Sequence, residues 1–505
     1  MRPDRLCRRG TERVNDMAKL TVWLPNGDTR TIAFEGEPRL SDLLAGLDGA
    51  PQLVCGGAGV CGKCSVAAEG LLEPPPEGGA CLACRTRVCG DAAVYLTGGR
   101  RLQGIETGGV MPPYVHRPAA GRYGAALDIG TTTVALRLID LAENRTLCTL
   151  AAANPQAALA ADVIGRMEAA LSGHGAVLQR MIRSLADELL AAACGKCGIS
   201  PEQVGARVVT GNTTMLYLFT GRNPKALSAA PFEADCLFGM EEQGVYYPPC
   251  LGAFVGADVA CAVLASGMTA THATSMLIDL GTNGEIALWH NGTLYCCATA
   301  AGPAFEGGGI SCGSASVEGA IDRVAYAGGG LAVHVIGDGE ARSVCGSGLI
   351  DAAAALLESG GIDETGAAEE DALLLTPTVA LTPRDIRQLQ LAKAAIAAGM
   401  QALSQEAGVS LGQIETLYIA GGFGRHLPLE SAAAIGLIPT ALAKRTVILG
   451  NAALSGASLL LLDREAEGAL GAISERAVCR NLATSPRFTD AFMERMMLEP
   501  VDDWA

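Results

Sequence analysis

The sequence predicts an α/β fold in three parts, a small strand-rich N-terminal module followed by two α/β lobes built on one plan. Three observations carry this. Residues 19–34 (KLTVWLPNGDTRTIAF) alternate apolar and polar around Pro25-Asn26-Gly27-Asp28, the pattern of a β-hairpin. Six cysteines, Cys55, Cys61, Cys64, Cys81, Cys84 and Cys89, then crowd a glycine-rich stretch. Finally, residues 122–139 (RYGAALDIGTTTVALRLI) and 275–290 (SMLIDLGTNGEIALWH) echo each other: a strand ending in Asp, a Gly/Thr/Asn turn, a second strand. The two Asp residues, Asp128 and Asp279, lie 151 positions apart. A chain of 505 residues has room for such an arrangement at about 150 residues per domain. With 49% hydrophobic and 18% charged residues it can bury large cores, which excludes a mainly disordered protein.

The elements follow in order. Residues 1–16 hold Arg2, Arg5, Arg8, Arg9 and Arg13 with no apolar run after them to act as a signal peptide. Fold-like sequence begins at Met17, so residues 1–16 are expected to be a non-native or disordered extension; a native peptide spanning residues 8–14 would refute this. The first module occupies 17–98, with a short helix presenting Leu40, Leu43 and Leu44, the cysteine loop, and another strand within CRTRVCGDAAVYL. Residues 99–122 carry Gly, Pro and Arg without periodicity and are expected to be a linker. The lobes span about 123–274 and 275–505. A long helix near 383–404 starts with Thr382 as N-cap, Pro383 and Asp385, and aligns Ile386, Leu389, Ile396, Met400 and Leu403. The glycine turn of LYIAGGFGRHL (417–427) follows a further strand.

Charge and hydropathy remove several function classes. A net charge of -16, from 37 basic and 53 acidic residues, repels a polyanion, so no nucleic-acid partner is expected. No membrane span is expected either: the most apolar stretch, 250–268, is broken by Asp258, glycines and Ser266. Eighteen cysteines without a secretory signal point to metal or redox chemistry rather than a disulfide framework. The twelve outside the cluster read mostly as small buried hydrophobes, Cys194-x2-Cys197 among them.

Cys55-x5-Cys61-x2-Cys64, with Cys84 nineteen residues on, is close to the plant-type iron–sulfur spacing C-x4-C-x2-C…C. Three thiolates from one loop wrap one side of a [2Fe–2S] cluster and a distant fourth closes it. Gly56, Gly57, Gly59 and Gly62 let the backbone approach the sulfides and donate N–H bonds that tune the potential. Cys61-x2-Cys64 alone suits zinc equally well, although a zinc site more often has two matched pairs. Cys81, Cys84 and Cys89 compete for the fourth position. Residues 18–97 resemble the β-grasp [2Fe–2S] ferredoxin family, whose last ligand sits in a short LxC turn. Leu82-Ala83-Cys84 matches that turn, so the resemblance implies Cys84.

DIGTTT and DLGTNGE each place a carboxylate at a strand end beside small hydroxyl and amide residues. Backbone N–H groups and Thr hydroxyls there can cradle phosphate oxygens, while the Asp holds Mg²⁺ through water or orients an attacking water. One such turn is ordinary; two at equivalent places, together with GGFG, make a set. The set resembles the ASKHA superfamily of actin- and sugar-kinase-like proteins, RNase H-like in each lobe, over roughly 123–505. The resemblance implies a first phosphate loop of Asp128, Gly130, Thr131 and Thr132, a second of Asp279, Gly281, Thr282 and Asn283, and adenosine contacts from Gly421 and Gly422. Glu285 either polarises the attacking water or is a solvated strand-end charge. Cys312 and Cys345 either face a redox partner or are buried, and His426 is expected to pack near the nucleotide.

A [2Fe–2S] module followed by an ATPase fold is the order found in the reductive activators of corrinoid proteins. The chain resembles that family in longer segments: NPQAALAADVIGRM (154–167), AAGPAFEGGGISCG (300–313), CGSGLID (345–351), LQLAKAAIAAGM (389–400) and IAGGFGRHL (419–427). The resemblance implies an ATP-hydrolysing iron–sulfur oxidoreductase that returns Co(II) corrinoid to Co(I). It also implies a corrinoid protein of a methyltransferase system as partner, a low-potential donor (a ferredoxin or flavoprotein reductase), and the cytoplasm of a strict anaerobe. A homodimer stays open. Larger members carry a separate middle domain before the first phosphate loop; here only 99–122 lies there, so that domain is expected to be missing and the linker to let the cluster swing. Two rivals stand beside this reading. One is an activator of another low-potential enzyme, such as a 2-hydroxyacyl-CoA dehydratase, whose activators lack the plant-type loop. The other is a non-enzymatic nucleotide-binding redox sensor.

Overall fold

The computed structural model describes residues 17–23, 29–47, 49–51, 53, 57, 64–76, 80–96, 109–482 and 485–504. The expectation for residues 1–16 and the expected ligands Cys55 and Cys61 lie outside these residues. The chain divides into two compact units, Met1–Arg100 and Arg101–Ala505.

In the first unit, strand Ala18–Trp23 pairs antiparallel with Thr29–Phe34, the two arms of the expected hairpin. Its other edge runs parallel to Arg87–Tyr95, which pairs antiparallel with Ser65–Glu73, and Ala80–Leu82 closes the sheet. Alternation sends Leu20 and Val22 to one face, where they meet Val88, Val94, and Leu40 and Leu44 of helix Leu40–Leu44; all six are fully buried. Leu43, expected on the same helix face, is only partly buried at the edge of this cluster.

The second unit holds two six-stranded sheets that share a five-strand plan and differ in the edge that carries the sixth strand. Strand Tyr123–Ile129 leads an antiparallel meander through Thr133–Asp140 to Arg145–Ala153, and its other edge runs parallel to Val204–Gly211, followed by Val245–Tyr247. Strand Ser275–Leu280 does the same with Gly284–His290 and Thr293–Thr299 on one side, and Thr416–Ala420 and Thr446–Gly450 on the other. Both leading strands are covered on both faces, which explains their nearly unbroken apolar runs. Helices Ala257–Ser266 and Ala452–Leu462 pack so closely that a Cβ on Gly456 would meet the Cys261 carbonyl oxygen at 2.0 Å.

The long helix runs Pro383–Ala407 as its signals predict. Thr382 and Asp385 form a capping box, with the Thr382 N–H donating to Asp385 Oδ2 at 2.9 Å. Ile386, Leu389, Ile396, Met400 and Leu403 are all fully buried. The apolar stretch 250–268 becomes a ten-residue core helix, Ala257–Ser266. Among the described residues no helix is long and apolar enough to cross a membrane.

The expected linker 99–122 needs correction over its second part, because residues 109–119 are docked. The N–H of Val110 donates to the Leu449 carbonyl (2.9 Å), that of Arg117 to Leu462 (3.0 Å) and that of Ala119 to Leu461 (2.8 Å). Arg117 also grips Asp463 with two hydrogen bonds, 2.8 and 3.0 Å. An extended strap bonded through its backbone to another element has no periodicity of its own, so its sequence resembles a free connector.

Candidate functional site

The first expected phosphate loop is a tight turn at the end of Tyr123–Ile129, in which the Gly130 N–H donates to the Thr133 carbonyl at 2.9 Å. Segment 154–167 braces it from behind. The Asn154 side chain donates to the Gly130 carbonyl (2.9 Å), and the Asn154 N–H to the Thr132 carbonyl (2.8 Å). Arg166, with no exposed surface, donates from Nη2 to the Thr131 carbonyl (2.7 Å) and from Nε to the Ala160 carbonyl (3.0 Å). Burial lowers its guanidinium to about 10, which still leaves it charged at neutral pH. Asn212, from GNTTM, donates to Thr131 Oγ1 at 3.2 Å and also caps helix Thr213–Thr220.

The second loop closes one residue sooner, with the Gly281 N–H donating to the Asn283 carbonyl at 3.2 Å. The glycine turn at 421–422 closes over it. Gly421 has φ +92°, and a Cβ there would lie 2.6 Å from Asp279 Oδ1 and 2.7 Å from the Leu280 carbonyl oxygen, so only glycine fits. Gly422 faces open space.

The loops meet. Thr132 Oγ1 lies 2.9 Å from Thr282 Oγ1, and both hydroxyls are 3.0 Å from Glu306 Oε2. Asp128, Asp258, Asp279, Glu285 and Glu306 share this crevice. The first three are raised to about 7, chiefly by lost hydration and further by one another's charge. Asn451 opposes the rise at Asp128 by donating to Oδ2 at 3.0 Å. Glu285 is held well above the usual carboxylate range by burial and by Asp258 and Asp279. At 7% exposure it is not a solvated strand-end charge, which removes one of its two readings. Burial raises Glu306 as well.

The hydrogen-bond donors given to these carboxylates are amides and hydroxyls, not Lys or Arg. Hard oxygen donors around uncompensated negative charge suit Mg²⁺. Among the described residues no three His, Cys, Asp or Glu converge as direct metal ligands.

At the cysteine site, Cys64 precedes strand Ser65–Glu73 and Cys84 follows Ala80–Leu82. Their Sγ atoms are 3.1 Å apart and both side chains are buried. The Ala83 N–H donates to the Cys64 carbonyl and the Ser41 N–H to the Ala83 carbonyl, each at 3.0 Å, which pins the Leu82-Ala83-Cys84 turn. Gly57 lies over it, since a Cβ there would be 3.9 Å from Cys84 Cβ. The competitors sit elsewhere: Cys81 is register partner of Val66 within the sheet, its thiol raised by burial, and Cys89 Sγ is 4.0 Å from Glu73 Oε2. Two adjacent buried thiols beside Gly57 are a fitting half of a four-thiolate set.

Of the remaining candidates, Cys345 is buried with Sγ 3.3 Å from Ser347 Oγ, Cys312 is half-buried, and Cys194 is fully buried. His426 is exposed. Sequence reasoning missed Asp258, Glu306, Asn451, Asn212 and Arg166. Asp258 and Glu306 did leave a signal, as single acidic residues inside apolar or glycine-rich runs.

A family model described as the C-terminal domain of RACo, the ASKHA domain, matches residues 273–504, and one described as the RACo middle region matches 123–271. The second match corrects the expectation of a missing middle domain, because the matched region holds the turn expected to be the first phosphate loop. The corrinoid activation enzyme RamQ of Eubacterium limosum is 33% identical over 448 residues, covering 80% of this chain and 75% of that protein. The [Co(II) methylated amine-specific corrinoid protein] reductase of Methanosarcina barkeri is 27% identical over 418 residues, covering 74% and 76%. A solved reductive activator for a corrinoid, iron–sulfur protein superposes with a TM-score of 0.68 at 26% identity, covering 96% of this chain and 98% of that one. On these relatives and family matches, the chain belongs to the reductive activators of corrinoid proteins.

Proposed function

We propose that this chain reduces the Co(II) corrinoid of a methyltransferase-system protein to Co(I), one electron at a time, and couples that transfer to ATP hydrolysis. The observation that carries the ATP half is the meeting of two Gly–Thr turns over one crevice of carboxylates, Thr132 to Thr282 at 2.9 Å. The hydroxyls of Thr131, Thr132 and Thr282, with the N–H groups of the two turns, bind phosphate oxygens. Asp128 and Asp279 hold the waters of Mg²⁺, and Glu285 or Asp258 orients the attacking water. Arg166 places a fixed positive charge behind the first turn, and Gly421 and Gly422 admit the adenosine.

Cys55, Cys61, Cys64 and Cys84 are the proposed ligands of a [2Fe–2S] cluster. When bound, it supplies single electrons at low potential. The sheet plan of the first unit, with its parallel first and last strands, supports a ferredoxin-like module. Coupling requires that nucleotide change the affinity for one state of the partner, since a ligand moves an equilibrium only by its differential affinity. The expected donor is a ferredoxin or flavoprotein reductase, and the expected compartment is the cytoplasm.

The test is anaerobic visible spectroscopy of candidate Co(II) corrinoid proteins mixed with this protein and a reductant, with ATP, without ATP, and with a non-hydrolysable analogue. A Co(I) band that needs hydrolysable ATP supports the proposal and identifies the partner. Full reduction without ATP refutes the coupling. No response from any corrinoid protein of the host, with ATPase activity intact, refutes the target.

A further inference from the structure

Glu306 belongs to none of the expected phosphate-loop residues, yet it joins both loops. Its Oε2 is 3.0 Å from Thr132 Oγ1 and 3.0 Å from Thr282 Oγ1. Each hydroxyl has one hydrogen to give. A proton donated to Glu306 is not available to a phosphate oxygen, and a carboxylate at that point repels phosphate.

The residue ends the single turn Ala304–Glu306, set between Gly302 (φ +76°) and Gly307 (φ +75°). The same short segment reaches two other parts of the lobe. Phe305 stacks on Phe423, with centroids 5.4 Å apart and rings 11° from parallel, directly after the Gly421-Gly422 turn. Ser311 donates its N–H to Asp385 Oδ1 at 2.7 Å, which ties the segment to the capping box of helix Pro383–Ala407.

Resting on the nucleotide reading above, we propose that Glu306 is a positioning residue of the phosphate site. It holds the Thr132 and Thr282 hydroxyls together and competes with the phosphates of ATP for them. Phosphate binding releases Glu306, and the release shifts segment 300–313 against Phe423 and against the start of the long helix. Nucleotide occupancy thereby becomes a change in a segment that lies outside the loops themselves.

The experiment compares wild type, Glu306→Ala and Glu306→Gln. It measures equilibrium binding of AMPPNP with Mg²⁺ by calorimetry and amide hydrogen exchange across 300–313 with and without the analogue. Glu306→Ala is expected to bind about tenfold tighter, the scale of one lost competing charged hydrogen bond. Its exchange without analogue should already match that of bound wild type. Glu306→Gln keeps the shape and the hydrogen bonds but not the charge, so it should fold normally and fall between. Unchanged or weaker binding in both variants overturns the proposal; weaker binding would make Glu306 part of the Mg²⁺–nucleotide site instead. If wild type binds no AMPPNP, the nucleotide reading itself fails and the competition falls with it.

Discussion

Asn451 performs two tasks with one amide: its Nδ2 donates to Asp128 Oδ2 at 3.0 Å, and its Oδ1 accepts from the Leu454 N–H at 2.8 Å as N-cap of helix Ala452–Leu462. The two residues are 323 positions apart, so the donor that stabilises the ionised form of the first aspartate comes from the second lobe. Asn451→Ala should cost about 1 kcal/mol from the lost cap alone. It should also raise Asp128 further. The checks are the urea midpoint and the acid limb of the ATPase pH profile, which should move to higher pH. An unmoved limb would mean that Asp128 does not titrate in turnover.

The carboxylate crevice makes stability depend on pH in a definite sense. Asp128, Asp258 and Asp279 titrate near 7 when folded and near 3.8 when unfolded. Between these values the folded chain binds more protons, so stability falls as pH rises from about 4 through 7. The protein without divalent cation should therefore be more stable at pH 5.5 than at pH 7.5. Mg²⁺ should shrink the difference by favouring the ionised crevice. Above pH 7 Lys393, lowered to about 7 by burial, acts in the opposite sense, so the comparison belongs below pH 8. Thermal unfolding with EDTA and with Mg²⁺ tests this, and equal stability at the two pH values in EDTA would contradict it.

Arg166 braces the first loop with a fully buried charged donor. Arg166→Met leaves the Thr131 and Ala160 carbonyls without their donor and should cost about 2–4 kcal/mol. Arg166→Lys keeps the charge but not the fork and should recover part of it. The ATP KM should rise more than kcat falls, because the residue shapes the binding loop. A stability loss without a KM change would restrict Arg166 to packing.

Gly421→Ala puts a methyl 2.6 Å from Asp279 Oδ1 in a backbone conformation that alanine rarely adopts. About 1–3 kcal/mol of destabilisation is expected, together with loss of ATP binding. Gly422→Ala, which meets nothing within 4 Å, should keep the stability of the wild type. Thermal unfolding separates the two, and equal melting temperatures would refute the close approach.

The fourth thiolate is tested by iron and labile-sulfide content with visible absorption. Cys84→Ser should lose the cluster, whereas Cys81→Ser and Cys89→Ser should keep it. An intact spectrum in the Cys84 variant would reassign the ligand.

Much of this molecule is written locally. The long helix is legible because Thr382, Pro383 and Asp385 act on the turn they belong to, and its apolar face follows a 3.6-residue period. The two Asp–Gly–Thr turns are legible because each lies between its own two strands, and the Leu82-Ala83-Cys84 turn through its resemblance to the LxC turn of the ferredoxin family. Tertiary structure decided what these turns meet. Glu306, Asp258 and Asn451 reach the crevice from three separate elements, and Arg166 reaches the first loop from 35 residues downstream. The strap at 109–119 has no period of its own because its partners are carbonyls at 449–462. Local pattern encodes backbone conformation and one buried face, whereas a shared carboxylate or a docked strap depends on distances that exist only once both sheets have closed on their helices.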